Sequence, residues 1–195
     1  MKKANMVKER IIKATIHLIT ESDGDIANIN TRAIAERANV GIGLINYHFQ
    51  TKENLLEICV GRIIGKVITA FNPLPLPTTQ TPDALLKHSM KLVFDFLIEN
   101  PAISRISILS DFKNPQMNDH TMKSATGARQ KMSNLDMPER ERLVLSFALV
   151  SLMQAFFLRK EQSGELFGYD INIKEQRDEV LDLIIDKLMG GYEHG

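Results

Sequence analysis

Residues 31–52 read TRAIAERANVGIGLINYHFQTK, and the fold turns on how this stretch is read. A short helix is expected from about Thr31 to Ala38, with Asn30 or Thr31 accepting the free N–H groups of its first turn. Ile34, Ala35 and Ala38 give it an apolar face of small residues, against which a second helix can approach closely. Asn39 suits the left-handed conformation that a sharp turn requires, though less readily than glycine. Val40, Ile45 and Phe49 then point back into a small core. Two short helices joined by a tight turn form a helix-turn-helix, whose second helix enters the major groove of DNA.

The composition of that second helix agrees. Residues 39–49, NVGIGLINYHF, contain no Lys, Arg, Asp or Glu in a chain that is 25% charged. Bulk at the leading end would hold the backbone away from base edges, and Gly41 and Gly43 avoid it. Ile42 or Leu44 can pack on a thymine methyl, and Asn46 can hydrogen-bond a base edge, with adenine the favoured geometry. Charge comes from the flanks, at Arg32 and Lys52. Thr31, Tyr47 and His48 carry donors suited to phosphate oxygens, as does the free N–H end of the helix that Thr51 caps.

The pattern T-R-x-I-A-x-x-A-x-V-x-x-G-x-(I/L)-x-Y-H-F-x-x-K-E-x-L resembles the N-terminal domain of the TetR family of bacterial transcriptional regulators. The resemblance covers about residues 7–60, and its fixed spacing over many positions makes it specific. It implies DNA-backbone contacts at Thr31, Tyr47, His48 and Lys52, and base-edge contacts at Arg32, Ile42, Gly43, Leu44 and Asn46. This chain departs from the pattern twice. Asn39 stands where glycine is usual, and Asn46 stands where a phosphate-binding tyrosine is usual. Either Tyr47 takes over that phosphate or Asn46 reads a base.

Outward from this motif, nearly every segment has helical periodicity. Residues 7–20 form one amphipathic helix, expected to stop at Gly24. A long helix follows Thr51 to about Phe71, where NPLPLPTTQTP cannot continue it and marks a connection. Further helices are expected at 82–99, 101–112, 116–134, 138–162 and 174–189. The fold class is all-α, with about nine helices. A helix-turn-helix domain is expected at 1–52, and a helical ligand-binding and dimerisation domain, by architecture similar to the family's, at 53–195. Residues 1–52 carry eight basic against five acidic side chains within a chain of zero net charge, so the head is slightly basic and the remainder slightly acidic.

Several function classes lose support. Cys59 is the only cysteine, which excludes an intrachain disulfide and fits a reducing compartment. It reads as a buried small hydrophobe rather than a redox sensor. The charged N-terminus is not a signal peptide, and no run is read as approaching a bilayer span, since Ser146, Ser151 and Gln154 interrupt the most apolar piece. A cytoplasmic protein without a membrane partner is expected. Scattered histidines suggest no metal site, and no nucleophile-elbow, phosphate-loop or dinucleotide signature supports catalysis or a cofactor.

Met90, Phe94, Ser107, Asp111, Phe147, Ser151 and Gln154 are candidates to line a pocket for a mostly apolar small molecule. Two late amphipathic helices carry more apolar residues than one core face needs, which fits a two-fold four-helix interface. The resulting expectation is a ligand-responsive, dimeric transcriptional regulator, a repressor by the resemblance, on a palindromic operator of double-stranded DNA. A constitutive DNA-binding dimer and a helical partner-binding module are the alternatives.

Overall fold

In the computed structural model, which describes residues 2–22, 29–71 and 81–190, ten α-helices follow one another in chain order, with one short 3-10 turn at Lys160–Gln162 among those residues. They are α1 (Lys2–Glu21), α2 (Thr31–Ala38), α3 (Ile42–Phe49), α4 (Lys52–Phe71), α5 (Pro82–Glu99), α6 (Pro101–Lys113), α7 (His120–Lys131), α8 (Glu139–Leu158), α9 (Ser163–Phe167) and α10 (Lys174–Met189). The all-α expectation holds. The stop at Gly24 and most of the proline-rich connection lie outside the described residues.

The helices group into two compact units. The first, the head, comprises Met1–Leu74 with Asn100–Lys113, and the second, the body, comprises Pro75–Glu99 with Asn114–Gly195. The expected division after residue 52 falls inside the head, because α4 buries Leu55, Leu56 and Cys59 there and packs against α1, α3 and α6.

The head is built around Ile11, Ile12, Ile19, Ile34, Ile45, Phe49 and Leu55, all buried. Thr15 joins this core at no polar cost, since its Oγ1 donates to the Ile11 carbonyl at 2.9 Å. Cys59 is fully buried on α4, its thiol lying 3.7 Å from the Ile12 carbonyl. Burial pushes that thiol up to about 12 despite the Arg62 charge nearby, so thiolate chemistry is suppressed.

In the body α7 packs along α8, and α5 lies against α7, α8 and α10. Its core includes Leu86, Met90, Phe94, Leu149, Val150, Met153, Phe157, Leu181 and Ile185. The segment expected as one helix over 138–162 ends at Leu158. It is followed by the 3-10 turn and by α9, which Gly168 closes at φ 75. Ser163 holds this turn together, donating to the Lys160 carbonyl at 2.7 Å and accepting from the Ile171 N–H at 3.0 Å.

A ladder of ion pairs joins α5 to α10. Lys87 meets Asp186 at 2.5 Å, Lys91 meets Asp182 at 2.8 Å, and Asp95 accepts from Lys174 at 2.7 Å and Arg177 at 2.6 Å. Steps of four along α5, at 87, 91 and 95, meet residues running the other way along α10, at 186, 182, and then 177 with 174, as antiparallel helices require. Arg177 is only 4% exposed, and its guanidinium also donates to the Ile171 carbonyl at 2.9 Å.

One expectation is corrected. The α8 helix is 20 residues long and contains an 18-residue window of mean hydropathy 1.6, long and apolar enough by those two criteria to cross a membrane. Its interrupting Ser and Gln residues are too few to lower the average below that range. Packing separates its two sides: Ser146, Leu149, Val150, Met153 and Phe157 are buried, while Val144 and Leu152 point away from them, 62% and 40% exposed.

Candidate nucleic-acid interface

The helix-turn-helix is set by local chemistry. Asn30 caps α2, its Oδ1 accepting from the Ala33 N–H at 2.9 Å, so of the two expected caps Asn30 is the one used. Asn39 ends α2 in the left-handed conformation, φ 49 and ψ 55, as the turn demands. Its N–H is spent on the carbonyls of Ala35 and Glu36. The Arg10 guanidinium on α1 donates to the Asn39 carbonyl at 3.1 Å, and Arg37 pairs with Glu21 at 2.6 Å. Lys8 stands over the Phe49 ring, 5.7 Å from its centroid. These three contacts fix α2 and α3 onto α1, and none is visible from the motif alone, because each pairs residues more than 15 positions apart.

Helix α3 buries Ile45 and Phe49 and turns the rest outward. Ile42 is 46% exposed, Leu44 41% and Tyr47 79%; Gly43 and Asn46 are exposed and His48 half-buried. Gly41 caps the helix in an extended conformation, with no side chain to satisfy the first N–H groups. A Cβ built at Gly41 or Gly43 meets nothing within 4 Å, and neither glycine has positive φ. Nothing inside the chain therefore requires glycine at these positions.

A second non-glycine positive φ follows α3, at Gln50 (φ 65, ψ −55). The Thr51 N–H reaches the Phe49 carbonyl at 2.7 Å across it, which makes Gln50 the centre of a strained three-residue turn. Nothing about glutamine signals such a turn. Thr51 then caps α4, its Oγ1 accepting from the Asn54 N–H at 3.1 Å, as the sequence suggests. Lys52, half-buried, is the first residue of α4.

Arg32 and Ile42 border one open recess along with Glu36, Asn39 and Gly41. The Arg32 guanidinium pairs with Glu36 at 3.0 Å, both side chains largely exposed. Thr31 is half-buried at the start of α2. The expected DNA contacts thus lie on the ends of α2 and α4 and along the outer side of α3.

The expected pocket residues fall in both units. Met90 and Phe94 are buried on α5, and Gln154 on α8 donates to Thr121 Oγ1 at 2.9 Å. Gln154 Oε1 and Ser151 Oγ are buried without a hydrogen-bond partner. Phe147 is 46% exposed at the edge of the buried side of α8. Ser107 and Asp111 are buried on α6, in the head. Among the described residues no cluster of His, Cys, Asp or Glu could hold a metal ion.

Residues 11–59 match a family described as bacterial regulatory proteins, tetR family. No curated protein matches the chain in sequence. Among solved structures, a TetR transcriptional regulator from Rhodococcus sp. RHA1 superposes with TM-score 0.66 at 19% identity, covering 100% of both chains. A tetR-family transcriptional regulator from Streptomyces coelicolor gives 0.58 at 16% identity, over 95% of this chain and 80% of the other. One from Haemophilus influenzae gives 0.52 at 18% identity, over 98% and 99%. At these identities the structures establish a shared fold and nothing finer.

Proposed function

We propose that this chain is a regulator of the TetR family, which residues 11–59 match, and that it represses transcription by binding a palindromic operator as a dimer, until a mostly apolar small molecule releases it. Members of the family are DNA-binding transcriptional regulators, and the outer side of α3 is what carries the reading here. That side is uncharged and exposed, and it is bare at Gly41 and Gly43 for no reason internal to the chain. Close approach of an outside surface supplies the reason. Arg32, Ile42, Gly43, Leu44 and Asn46 face base edges in this reading, and Thr31, Tyr47, His48 and Lys52 hold phosphates.

Dimerisation is supported by α8 and α10. Leu143, Val144, Phe147 and Leu152 on α8 and Leu183 on α10 are between 40% and 62% exposed, an apolar surface that a second copy of the same helices covers in a four-helix arrangement. Two-fold pairing also sets two short recognition helices one turn of DNA apart. The effector reading is supported within the body by Met90 and Phe94, with the unsatisfied Gln154 Oε1 and Ser151 Oγ as polar contacts. Release then requires the effector to bind the two states of the protein unequally.

Selection of duplexes from a random pool, followed by binding isotherms at two or more salt concentrations, tests the reading. A palindromic consensus is expected, with affinity falling steeply as salt rises because phosphate contacts release counterions. Binding that ignores salt, or no enriched sequence from protein stripped of ligand by unfolding and refolding, overturns it.

A further inference from the structure

We propose that α3 reads its half-site chiefly through a thymine 5-methyl group against Ile42, coupled to an adenine edge at Asn46, which makes an A·T step rather than a G·C step the centre of recognition. This rests on the DNA-binding reading above and specifies what that surface prefers.

Ile42 and Asn46 are four residues apart, so they lie on the same side of α3, one turn above the other. Gly43 stands beside them with open space where a side chain would be. The first turn of the helix can therefore sink until the Ile42 side chain, 46% exposed, meets the floor of the groove. On that floor the thymine methyl is the apolar feature that distinguishes a natural base, and the adenine N6–H and N7 pair matches a carboxamide in two hydrogen bonds.

The alternative readings need groups that α3 lacks. Guanine is most often read by the fork of an arginine or by a lysine, and cytosine by a carboxylate. Residues 39–49 contain none of these. Arg10 is tied to the Asn39 carbonyl and Arg37 to Glu21, so neither is placed to supply a fork. Arg32 shares the recess with Ile42 and stands at its edge. A guanine contact therefore belongs at the margin of the site, next to the methyl that Ile42 meets.

The experiment uses the full chain and its selected duplex with each thymine replaced singly by deoxyuridine, which deletes one methyl and leaves base pairing intact. At one position per half-site affinity should fall about fourfold, the loss expected for one buried methyl-sized group. Ile42→Ala should bind the thymine and deoxyuridine duplexes at that position equally. Because Ile42 is on the surface, the variant should fold, and a thermal melt checks this. Placing 5-methylcytosine for cytosine in a C·G pair at the same position should raise the affinity of the unaltered protein over the cytosine duplex. Equal binding of thymine and deoxyuridine duplexes throughout, or half-sites whose invariant pairs are G·C, overturns the inference while leaving the DNA reading intact. Failure to enrich any duplex overturns both.

Discussion

Helix α3 and helix α8 both turn apolar side chains outward, and they do so in opposite ways. On α3 the exposed Ile42 and Leu44 alternate with glycines on an eight-residue helix, giving a thin, nearly smooth edge. On α8 the exposed Val144, Phe147 and Leu152 run along a 20-residue helix, giving a broad stripe beside a buried one. A narrow edge fits a groove about 12 Å wide. A long stripe fits another helix of equal length, with knobs from one side filling gaps on the other. Two uncovered apolar surfaces in one chain therefore call for two kinds of cover.

The supports behind them differ as well. The buried Ile45 and Phe49, with Lys8 over the Phe49 ring, hold α3, whereas the ladder from Lys87 to Arg177 holds α10 beside α5. The largest predicted effect separates buried from exposed residues on α3. Phe49→Ala should cost about 4 kcal/mol in urea unfolding, while Leu44→Ala should stay within about 0.5 kcal/mol. Comparable losses would mean that the outer side of α3 is packed after all.

Next comes the body. Arg177→Ala should cost about 3 kcal/mol, because it removes a buried cation from Asp95 and leaves carbonyls unsatisfied. Burial alone pushes the Asp95 carboxyl up, but hydrogen bonds from Lys174 and Arg177 outweigh it and hold the group below its ordinary value. A depressed carboxyl contributes stability above its unfolded pKa and loses it as pH falls through the folded one. Thermal melts from pH 7 to pH 3 should thus show a steeper acid loss in the unaltered protein than in Asp95→Asn, and parallel curves would discount the pair.

Val144→Glu combined with Phe147→Glu should break the stripe without touching α3. Sedimentation should then report a monomer, and operator affinity should fall about 100-fold as the paired grip is lost. A variant that stays dimeric would move the interface elsewhere. The smallest effect is a gain: Gln50→Gly should stabilise the head by about 1 kcal/mol, since glycine adopts φ 65 without strain. Its measured change in DNA affinity would tell whether the strained turn tunes the angle of α3.

Much of the head was legible in the residues because its signals are local. A cap at Asn30, a left-handed Asn39, small residues at Ala35 and Ala38, and a cap at Thr51 act within four or five positions of themselves. Gln50 escaped because its conformation is imposed by the helices it joins. In the body, short-range periodicity located α5 and α10 but ran α8 on through the 3-10 turn that follows and did not find α9.

The sequence by itself determined most of the helices, the position of α3 and its lack of charge, because these depend on contacts between near neighbours. Tertiary structure decided which apolar residues remain outside, which of Arg10, Arg32 and Arg37 are tied back, and that α4 and α6 belong with the head. Those outcomes depend on pairings such as Arg10 with Asn39 and Arg62 with Glu9, 29 and 53 positions apart. Side chains so distant meet only once the whole core has chosen its packing.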